Sequence, residues 1–277
     1  MTSEITVRWL GTNAWEITGN DKTVLVDPWV SRFNTHDNAD GHFDPETPIS
    51  VDEAAVDEHV TGTADTILVT HAHHDHIADV PYIAGKTGAT VLGTETHLNL
   101  LRAMDTPTEQ LGQVAGGEYY QFDGYTIEVF RSSHGVSDEH RTLLFSGTLP
   151  EVPPRPSRIK DLREGGSLAY LVTCGDLSLY FNATPAFHER EIAGLRPDIL
   201  FMQGANPYYP RYVERLFKAT GYPPYVLPTH WDDFEKPLTE PAVDEYGAAD
   251  LEKQVAEVSP ASQFIKLDHL DSHTFTA

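Results

Sequence analysis

Short apolar runs rich in β-branched residues recur along the chain, and each such run predicts a buried strand. The predicted strands cover residues 5–10, 14–18, 23–26, 66–70, 90–92, 125–130, 168–173, 177–181, 199–202, 225–227 and 264–267. Helix-like stretches lie between many of them, at residues 77–86, 94–104, 185–194, 210–220 and 248–256. Because strands and helices alternate along most of the chain, the pattern predicts an α/β protein with packed layers of both.

Two polar segments interrupt this pattern. Residues 30–61 form a long, acidic, loop-like stretch, and residues 148–166 contain a cluster of prolines. No Gly/Ser linker or low-complexity block divides the 277 residues, a length sufficient for one large domain. We therefore expect a single domain over residues 1–277, with insertions at about 30–61 and 148–166.

The charge balance restricts the class of partner. The chain has 42 acidic and 19 basic residues, which gives a formal net charge of −23 at pH 7. An acidic surface repels the phosphates of nucleic acids, so we expect a small-molecule substrate and no nucleic-acid partner. The acidic excess equally fits a salt-adapted protein, and the sequence leaves both explanations open.

Targeting signals and cysteine usage bear on the compartment. Residues 1–4 lack the basic region and the apolar run of a signal peptide. No apolar stretch is long enough to span a bilayer. The single cysteine, Cys174, cannot form an internal disulfide. These features predict a cytoplasmic protein without a transmembrane segment.

One six-residue segment concentrates side chains that can bind a metal ion. It reads His71-Ala-His73-His74-Asp75-His76 and follows directly on the predicted strand 66–70. A loop at a strand end would place these side chains around one point. Imidazole nitrogen and carboxylate oxygen suit zinc or another first-row divalent metal. A solvated polar loop is the competing interpretation, and the spacing of the histidines favours the metal site.

Four further segments repeat, in the same order, the landmarks of a known family. They are residues 9–17 (WLGTNAWEI), 24–29 (VLVDPW), 133–135 (SHG) and 226–232 (VLPTHWD). With His-x-His-x-Asp-His after a strand, they make the chain resemble the metallo-β-lactamase superfamily. The most similar branch includes ascorbate-6-phosphate lactonase and the N-acylphosphatidylethanolamine phospholipases D. The resemblance spans residues 5 to about 235. It implies a four-layer αββα sandwich with metals at the sheet edge, and it is compatible with a homo-oligomer.

The resemblance also implies two sets of metal ligands. These are His71, His73 and His134 for the first site, and Asp75, His76 and His230 for the second. Three neutral imidazoles can lower the pKa of zinc-bound water to about 7. The implied nucleophile is therefore a zinc-bound hydroxide, with Asp75 as the group that orients it or carries its proton. Asp27 matches the carboxylate that supports the metal loop from outside. The implied cofactor is one or two Zn²⁺ ions, with Mn²⁺ or Fe²⁺ as alternatives.

One landmark of the family is missing. Most members have a Gly-Asp-Thr whose aspartate bridges two metals, but here Asn182 or Ala183 stands at that position. Asp176 is predicted to lie in a hairpin turn at the opposite end of the same strand. His188, just beyond the altered segment, is a candidate replacement ligand. One metal, or two metals bridged only by hydroxide, both remain open.

Other side chains have two interpretations each. The remaining histidines are interpreted as mostly solvated, and His74 as a supporting or surface residue. Arg155 and Arg158 belong to a basic run that is usually solvated, but that could also clamp an anionic substrate beside the metal. Aromatic side chains more often pack in the core than line a site. Those that could line an apolar mouth are Trp231, Tyr208, Tyr209, Tyr212 and Phe217.

These observations predict a metal-dependent hydrolase of a small or amphipathic ester, lactone, amide or phosphodiester. A true β-lactamase is disfavoured, because that activity occupies a small part of the superfamily. Two alternatives stay open. The first is an iron-dependent oxidoreductase on the same fold, although its iron branch relies on the missing aspartate. The second is a catalytically degenerate metal-binding member, against which the six retained ligands argue.

Overall fold

Two β-sheets pack against each other in the computed structural model, which describes residues 4–36, 42–137, 140–204, 206 and 208–277. The strands in chain order are β1 (Glu4–Trp9), β2 (Trp15–Gly19), β3 (Lys22–Val26), β4 (Thr66–Leu68), β5 (Thr90–Gly93), β6 (Leu111–Gln113), β7 (Tyr119–Gln121), β8 (Thr126–Ser133), β9 (Leu168–Cys174), β10 (Leu177–Asn182), β11 (Ala186–Phe187), β12 (Ile199–Met202), β13 (Tyr225–Pro228), β14 (Gln263–Phe264) and β15 (Ser272–Thr276). The first sheet has the order β15-β1-β2-β3-β4-β5-β6. The second has the order β11-β8-β9-β10-β12-β13-β14, with β7 beside β8.

Helices cover the outer face of each sheet. They are α1 (Glu53–His59), α2 (His74–Ile77), α3 (Val80–Thr87), α4 (Glu95–Ala103), α5 (Glu189–Ile192), α6 (Tyr212–Thr220) and α7 (Ala248–Val258). Val56, Ile83 and Leu98 of α1, α3 and α4 share an apolar cluster with the first sheet. Val213 and Leu251 of α6 and α7 share another with the second sheet. The order helix, sheet, sheet, helix confirms the predicted αββα sandwich.

The period of two along each strand divides its side chains between layers, because successive side chains point to opposite faces of a sheet. In β12, Ile199 and Phe201 enter the core between the sheets, whereas Leu200 and Met202 pack under the helices. Phe201 stacks on Phe181 with a centroid distance of 4.1 Å. Truncation of such a buried ring to alanine costs about 3–5 kcal/mol. Strands buried on both faces explain the continuous apolar runs of the sequence.

The strand ends from the two sheets meet at one edge of the sandwich. β3 and β4 are parallel neighbours with Val26 opposite Leu68, so the segments after them emerge side by side. In the second sheet β12 and β13 are parallel, with Met202 opposite Pro228. The loop after β13 approaches the segment after β4 within hydrogen-bond distance. The fold therefore gathers residues from distant parts of the chain at this edge.

Several element predictions need correction. Residues 30–61, predicted to be loop-like, contain α1, because Asp52 caps the helix by accepting from Ala55 N. The helix predicted over 77–86 is divided into α2 and α3, with Pro81 in the first turn of α3. Residues 185–194 are not one helix, since Ala186 and Phe187 pair with the end of β8.

The pattern also misses β6, β7 and β15, because most of their residues are at least partly exposed and carry little apolar signal. The last predicted strand, 264–267, is shortened to β14. Within the described residues, every helix is too short or too polar to cross a membrane.

Candidate metal centre

The histidine-rich segment leaves β4 as a loop and then turns into the short helix α2. His71 and His73 lie in the loop, and His73 caps the helix that begins at His74. The backbone N–H of His76 donates to the carbonyl of His73 at 3.1 Å. This tight turn places side chains from both the loop and the helix on one point.

A second loop holds the histidine-rich loop from outside. Ala72 N donates to Glu164 O at 3.1 Å, and Leu168 N donates to Thr70 O at 2.8 Å. His97 Nε2 lies 3.1 Å from the same Glu164 carbonyl. His97 thus helps to position the metal loop through Glu164, and it also completes a capping box at the start of α4.

The other two histidines arrive from the second sheet. His134 directly follows β8, and His230 lies two residues beyond β13. His230 has a φ of +54°, a left-handed conformation that surrounding structure must hold in a residue other than glycine. Its backbone N–H donates to Thr12 O at 2.8 Å, so the loop between β1 and β2 holds it in place.

The structure brings together all six side chains that the sequence predicted as ligands. They form two groups of three, within each of which the potential ligand atoms lie within 4.8 Å of one another. The first group is His71, His73 and His134, and the second is Asp75, His76 and His230. We call these six residues the ligand cluster. Four of them are buried, and His134 and His230 are half-buried.

Three imidazoles are fixed in orientation by a hydrogen bond on one ring nitrogen, which leaves the other nitrogen for a metal. His73 Nε2 lies 3.0 Å from Leu144 O, and His134 Nδ1 lies 2.6 Å from Gly135 O. Because a carbonyl only accepts, each of these nitrogens carries the proton, and the other nitrogen of the ring has a free lone pair. His76 Nδ1 lies 2.7 Å from Asp27 Oδ2 and is held in the same way. Anchoring through the outer nitrogen is typical of metal-binding histidines.

The first group fits a cation in its protonation chemistry as well. His71 Nε2 is buried and has no hydrogen-bond partner among the described residues, as expected of an atom that awaits a metal. Burial holds the pKa of His71 well below its usual value and lowers the pKa of His73 to about 3. Burial also lowers the pKa of His134. Three neutral imidazoles are the form that binds zinc.

The second group contains the only carboxylate of the cluster. Asp75 Oδ2 lies 2.9 Å from His230 Nε2 and 3.3 Å from His76 Nε2. Burial opposes its ionisation, but the two imidazoles outweigh burial and hold the pKa of Asp75 well below its usual value. Asp75 is therefore an anion at neutral pH, which suits a metal ligand or a hydrogen-bond acceptor that orients a water.

Asp27 links the two groups from outside. Its Oδ1 accepts from Thr70 N at 2.7 Å, and its Oδ2 accepts from Asn13 Nδ2 at 2.6 Å as well as contacting His76. Asn13 Oδ1 in turn accepts from Thr229 Oγ1 at 2.8 Å, beside His230. The sequence predicts a supporting role for Asp27 but none for Asn13 or Thr229, because amides and hydroxyls in loops carry no specific signal.

The position of the missing carboxylate is now defined. Asn182 ends β10 and is fully buried, and its Nδ2 donates to Thr184 O at 2.6 Å and to Tyr212 Oη at 3.1 Å. Asp176 lies in the two-residue turn between β9 and β10, as predicted, at the far end of the strand. His188 Nε2 lies 2.7 Å from Ser133 Oγ and belongs to neither ligand group.

A cavity of about 550 Å³ opens over the ligand cluster. One part of its lining is apolar, and we call that part the aromatic wall: Phe43, Leu144, Phe145, Phe234 and Tyr246. His74 also lines the cavity and is only 5% exposed, packed against Trp29 at a centroid distance of 5.5 Å. The prediction of a surface position for His74 is therefore wrong.

Three predicted substrate contacts lie elsewhere. Arg155 pairs with Asp105, and Arg158 NH1 donates to Glu46 O at 2.6 Å, so both guanidinium groups are engaged away from the cavity. Trp231 is 1% exposed and stacks on Trp9 at 4.8 Å in the core. The anion clamp is not assembled, because acidic partners distant in sequence bind these arginines.

The alternative of an apolar mouth formed by Trp231, Tyr208, Tyr209, Tyr212 and Phe217 is not supported either, because none of these residues lines the cavity. Tyr212 and Phe217 belong to the core beneath the helices, and Tyr209 Oη accepts from Val136 N at 3.2 Å.

Some histidines interpreted as solvated are buried instead, namely His59, His97 and His269. His97 could have been recognised by the Thr94-x-x-His97 spacing, which resembles a capping box.

Comparison with known proteins yields a family and a fold. A family model described as "Beta-lactamase superfamily domain" matches residues 6–230. A UPF0173 metal-dependent hydrolase of Thermodesulfovibrio yellowstonii is 25% identical over 270 residues, which are 94% of this chain and 88% of the relative. Another UPF0173 metal-dependent hydrolase, from Caldivirga maquilingensis, is 35% identical over 111 residues, so the match spans only 40% of each chain.

Solved structures share the whole architecture at low identity. Igni18, a metallo hydrolase of Ignicoccus hospitalis, has a TM-score of 0.61 and 16% identity, with 98% of each chain covered. CmlA, a diiron β-hydroxylase of Streptomyces venezuelae, has a TM-score of 0.59 and 13% identity, with 99% of this chain and 54% of CmlA covered. Both share the fold seen here, and at this identity they indicate the fold alone.

Proposed function

The chain belongs to the beta-lactamase superfamily, and from that premise we propose that it is a metal-dependent hydrolase of a small-molecule substrate. The observation that supports this most strongly is the convergence of six potential ligands in two adjacent groups at one edge of the sandwich. The name of the full-length relative from Thermodesulfovibrio yellowstonii points to the same class of reaction.

In the proposed centre, His71, His73 and His134 would hold one zinc ion, and Asp75, His76 and His230 would hold a second one. Zinc held there would act as a Lewis acid on a substrate oxygen and lower the pKa of a bound water towards neutrality. The donor set is mostly imidazole, which suits zinc better than magnesium or calcium.

The chain's own residues would then orient the water. Asp75 is ionised and buried beside His230 and His76, so it can orient the attacking water by accepting a hydrogen bond from it. Asp27 keeps the proton of His76 on Nδ1 and so directs Nε2 towards the centre. The aromatic wall gives one side of the cavity an apolar surface against which a substrate can pack.

The absence of a bridging aspartate favours tighter metal binding by the first ligand group than by the second. Asn182 has no negative charge, and its Nδ2 is committed to Thr184 and Tyr212. Two cations without a carboxylate between them repel with less compensation. We therefore propose that the first group binds zinc more tightly than the second.

Metal removal and replacement tests the proposal. The protein is stripped with a chelator and reloaded separately with zinc, manganese or ferrous iron. Hydrolysis is then measured on 4-nitrophenyl acetate, a lactone, an amide and bis(4-nitrophenyl) phosphate. We expect zinc to restore hydrolysis of at least one of them. Bound zinc without hydrolysis of any would indicate a degenerate member, and oxygen uptake with iron would indicate an oxidoreductase.

A further inference from the structure

We infer that the substrate is an uncharged ester, lactone or amide that carries a planar apolar group, rather than a phosphodiester or a phospholipid. This inference rests on the proposed function, because it concerns what the same cavity admits. Two features carry it: aromatic pairs beside both ligand groups, and a lining without Lys or Arg among the described residues.

The first aromatic pair stands beside the three-histidine group. The rings of Phe43 and Phe145 have centroids 6.2 Å apart, and the ring of Phe145 lies 6.0 Å from that of His73. Leu144 completes this part of the wall, and its carbonyl anchors His73. An apolar group bound here would therefore lie next to the first ligand group.

The second pair stands beside the group that contains His230. Phe234 and Tyr246 stack at 5.8 Å with an interplanar angle of 11°, and Phe234 lies 5.7 Å from His230. Tyr246 is 48% exposed, so much of its ring is open to solvent at the cavity. A nearly parallel, partly exposed aromatic pair offers a flat apolar surface, which favours stacking of a planar substrate group.

Apart from the proposed zinc ions, the described lining of the cavity offers an anionic substrate no Lys or Arg partner. None of the described residues that line it is Lys or Arg, and the undescribed residues 1–3, 37–41, 138–139, 205 and 207 include neither type. The basic side chains of residues 155–160 are paired outside the cavity with Asp105 and Glu46. A phosphate would therefore lack the guanidinium or ammonium partners that usually bind it.

Acidic groups near the cavity reinforce this preference. Glu235 Oε1 lies 3.0 Å from Nδ1 of His36, which lines the cavity. The net charge of −23 adds repulsion of anions within a Debye length of about 8 Å. Only the reacting oxygen of a neutral substrate would face the metals.

A matched set of 4-nitrophenyl esters tests the inference on the zinc-loaded protein. The set contains the acetate, the phenylacetate and the (4-carboxyphenyl)acetate, with bis(4-nitrophenyl) phosphate as the anionic diester. Each kcat/KM is divided by the uncatalysed rate constant. We expect the phenylacetate to exceed the acetate by at least about tenfold, from burial of the ring. The distal carboxylate should lower the value about tenfold again.

Substitutions in the aromatic wall test whether the preference for the phenylacetate over the acetate arises in the cavity. Tyr246→Ala and Phe234→Ala should reduce the ratio of phenylacetate to acetate to about threefold or less. Tyr119→Ala is the matched control, because Tyr119 is 61% exposed on β7 and lies outside the cavity. Zinc content and thermal unfolding of all three variants should match those of the parent protein.

Two results would overturn the inference. If zinc-dependent ester hydrolysis persists but phenylacetate gains nothing over acetate, or the anionic substrates are preferred, the inference fails while the proposed function stands. If the protein binds zinc and hydrolyses neither these four compounds nor the lactone and the amide of the metal-replacement test, both fail together.

Discussion

The ligand cluster and the aromatic wall face the same cavity but are built in different ways. Asp75 and His76 lie in α2, and the other four cluster residues lie in loops, one to five residues after β4, β8 or β13. Hydrogen bonds from Asp27 and from backbone carbonyls fix several of their rings. The five wall residues also lie outside helices and strands. Loop positions held by hydrogen bonds next to strand ends can keep the chemistry constant, whereas the loop positions of the wall can vary to suit a substrate.

The largest effect on zinc content and hydrolysis is expected for substitutions within the ligand cluster, compared with a substitution just outside it. His71→Ala and His230→Ala each remove one ligand from a different group, so each should lower the zinc content and reduce hydrolysis by at least about 100-fold. His188→Ala is the control, because His188 lies near the cluster but in neither group. Parent-like zinc content and rate in His71→Ala would refute the metal assignment.

A substitution of Asp27, which supports the ligand cluster by hydrogen bonds, should affect zinc binding nearly as strongly as a substitution of a ligand. Asp27→Asn leaves only one acceptor oxygen for contacts that now use two, so either Thr70 or His76 loses its partner. We expect zinc affinity to fall about 10–100-fold, measured by competition with a chromogenic chelator. Asp123→Asn, at a side chain that is 96% exposed, should change nothing.

A wall substitution should affect selectivity and spare the metal. Phe145→Ala removes the ring that contacts Phe43 and stands beside His73. We expect kcat/KM for an aryl ester to fall about tenfold, with unchanged zinc stoichiometry. Loss of zinc in this variant would mean that the wall and the cluster are not separable.

The smallest effect is expected at the arginines that the sequence suggested as an anion clamp. Arg155 and Arg158 are engaged by Asp105 and Glu46 at exposed positions. Replacing both with Ala should change KM by less than about twofold for neutral and anionic esters alike, since exposed pairs contribute little. A rise in KM for the anionic ester alone would instead support the hypothesis of an anion clamp.

The cluster could be predicted from the sequence because its information is local. Four of its residues fall within the six positions 71–76, and His134 and His230 each follow a recognisable apolar strand. The layers of the fold follow from the same alternation of apolar residues. Strand ends of parallel neighbours meet at one edge, so the motif and the topology point to the same place.

The wall could not be predicted, because its residues share neither spacing nor periodicity. Phe43 and Phe145 meet only through the tertiary fold. The same reason explains the errors at Arg155 and His269, whose partners Asp105 and Asp232 are assigned only by packing. Exposure and pairing are properties of the folded chain, and composition alone does not determine them.

Anomalous diffraction from crystals of the protein purified without added metal and then soaked in zinc tests the central claim most directly. We predict a strong zinc peak between His71, His73 and His134, and a weaker peak between Asp75, His76 and His230. Crystals that contain zinc elsewhere on the protein but show no peak at either group would contradict the account.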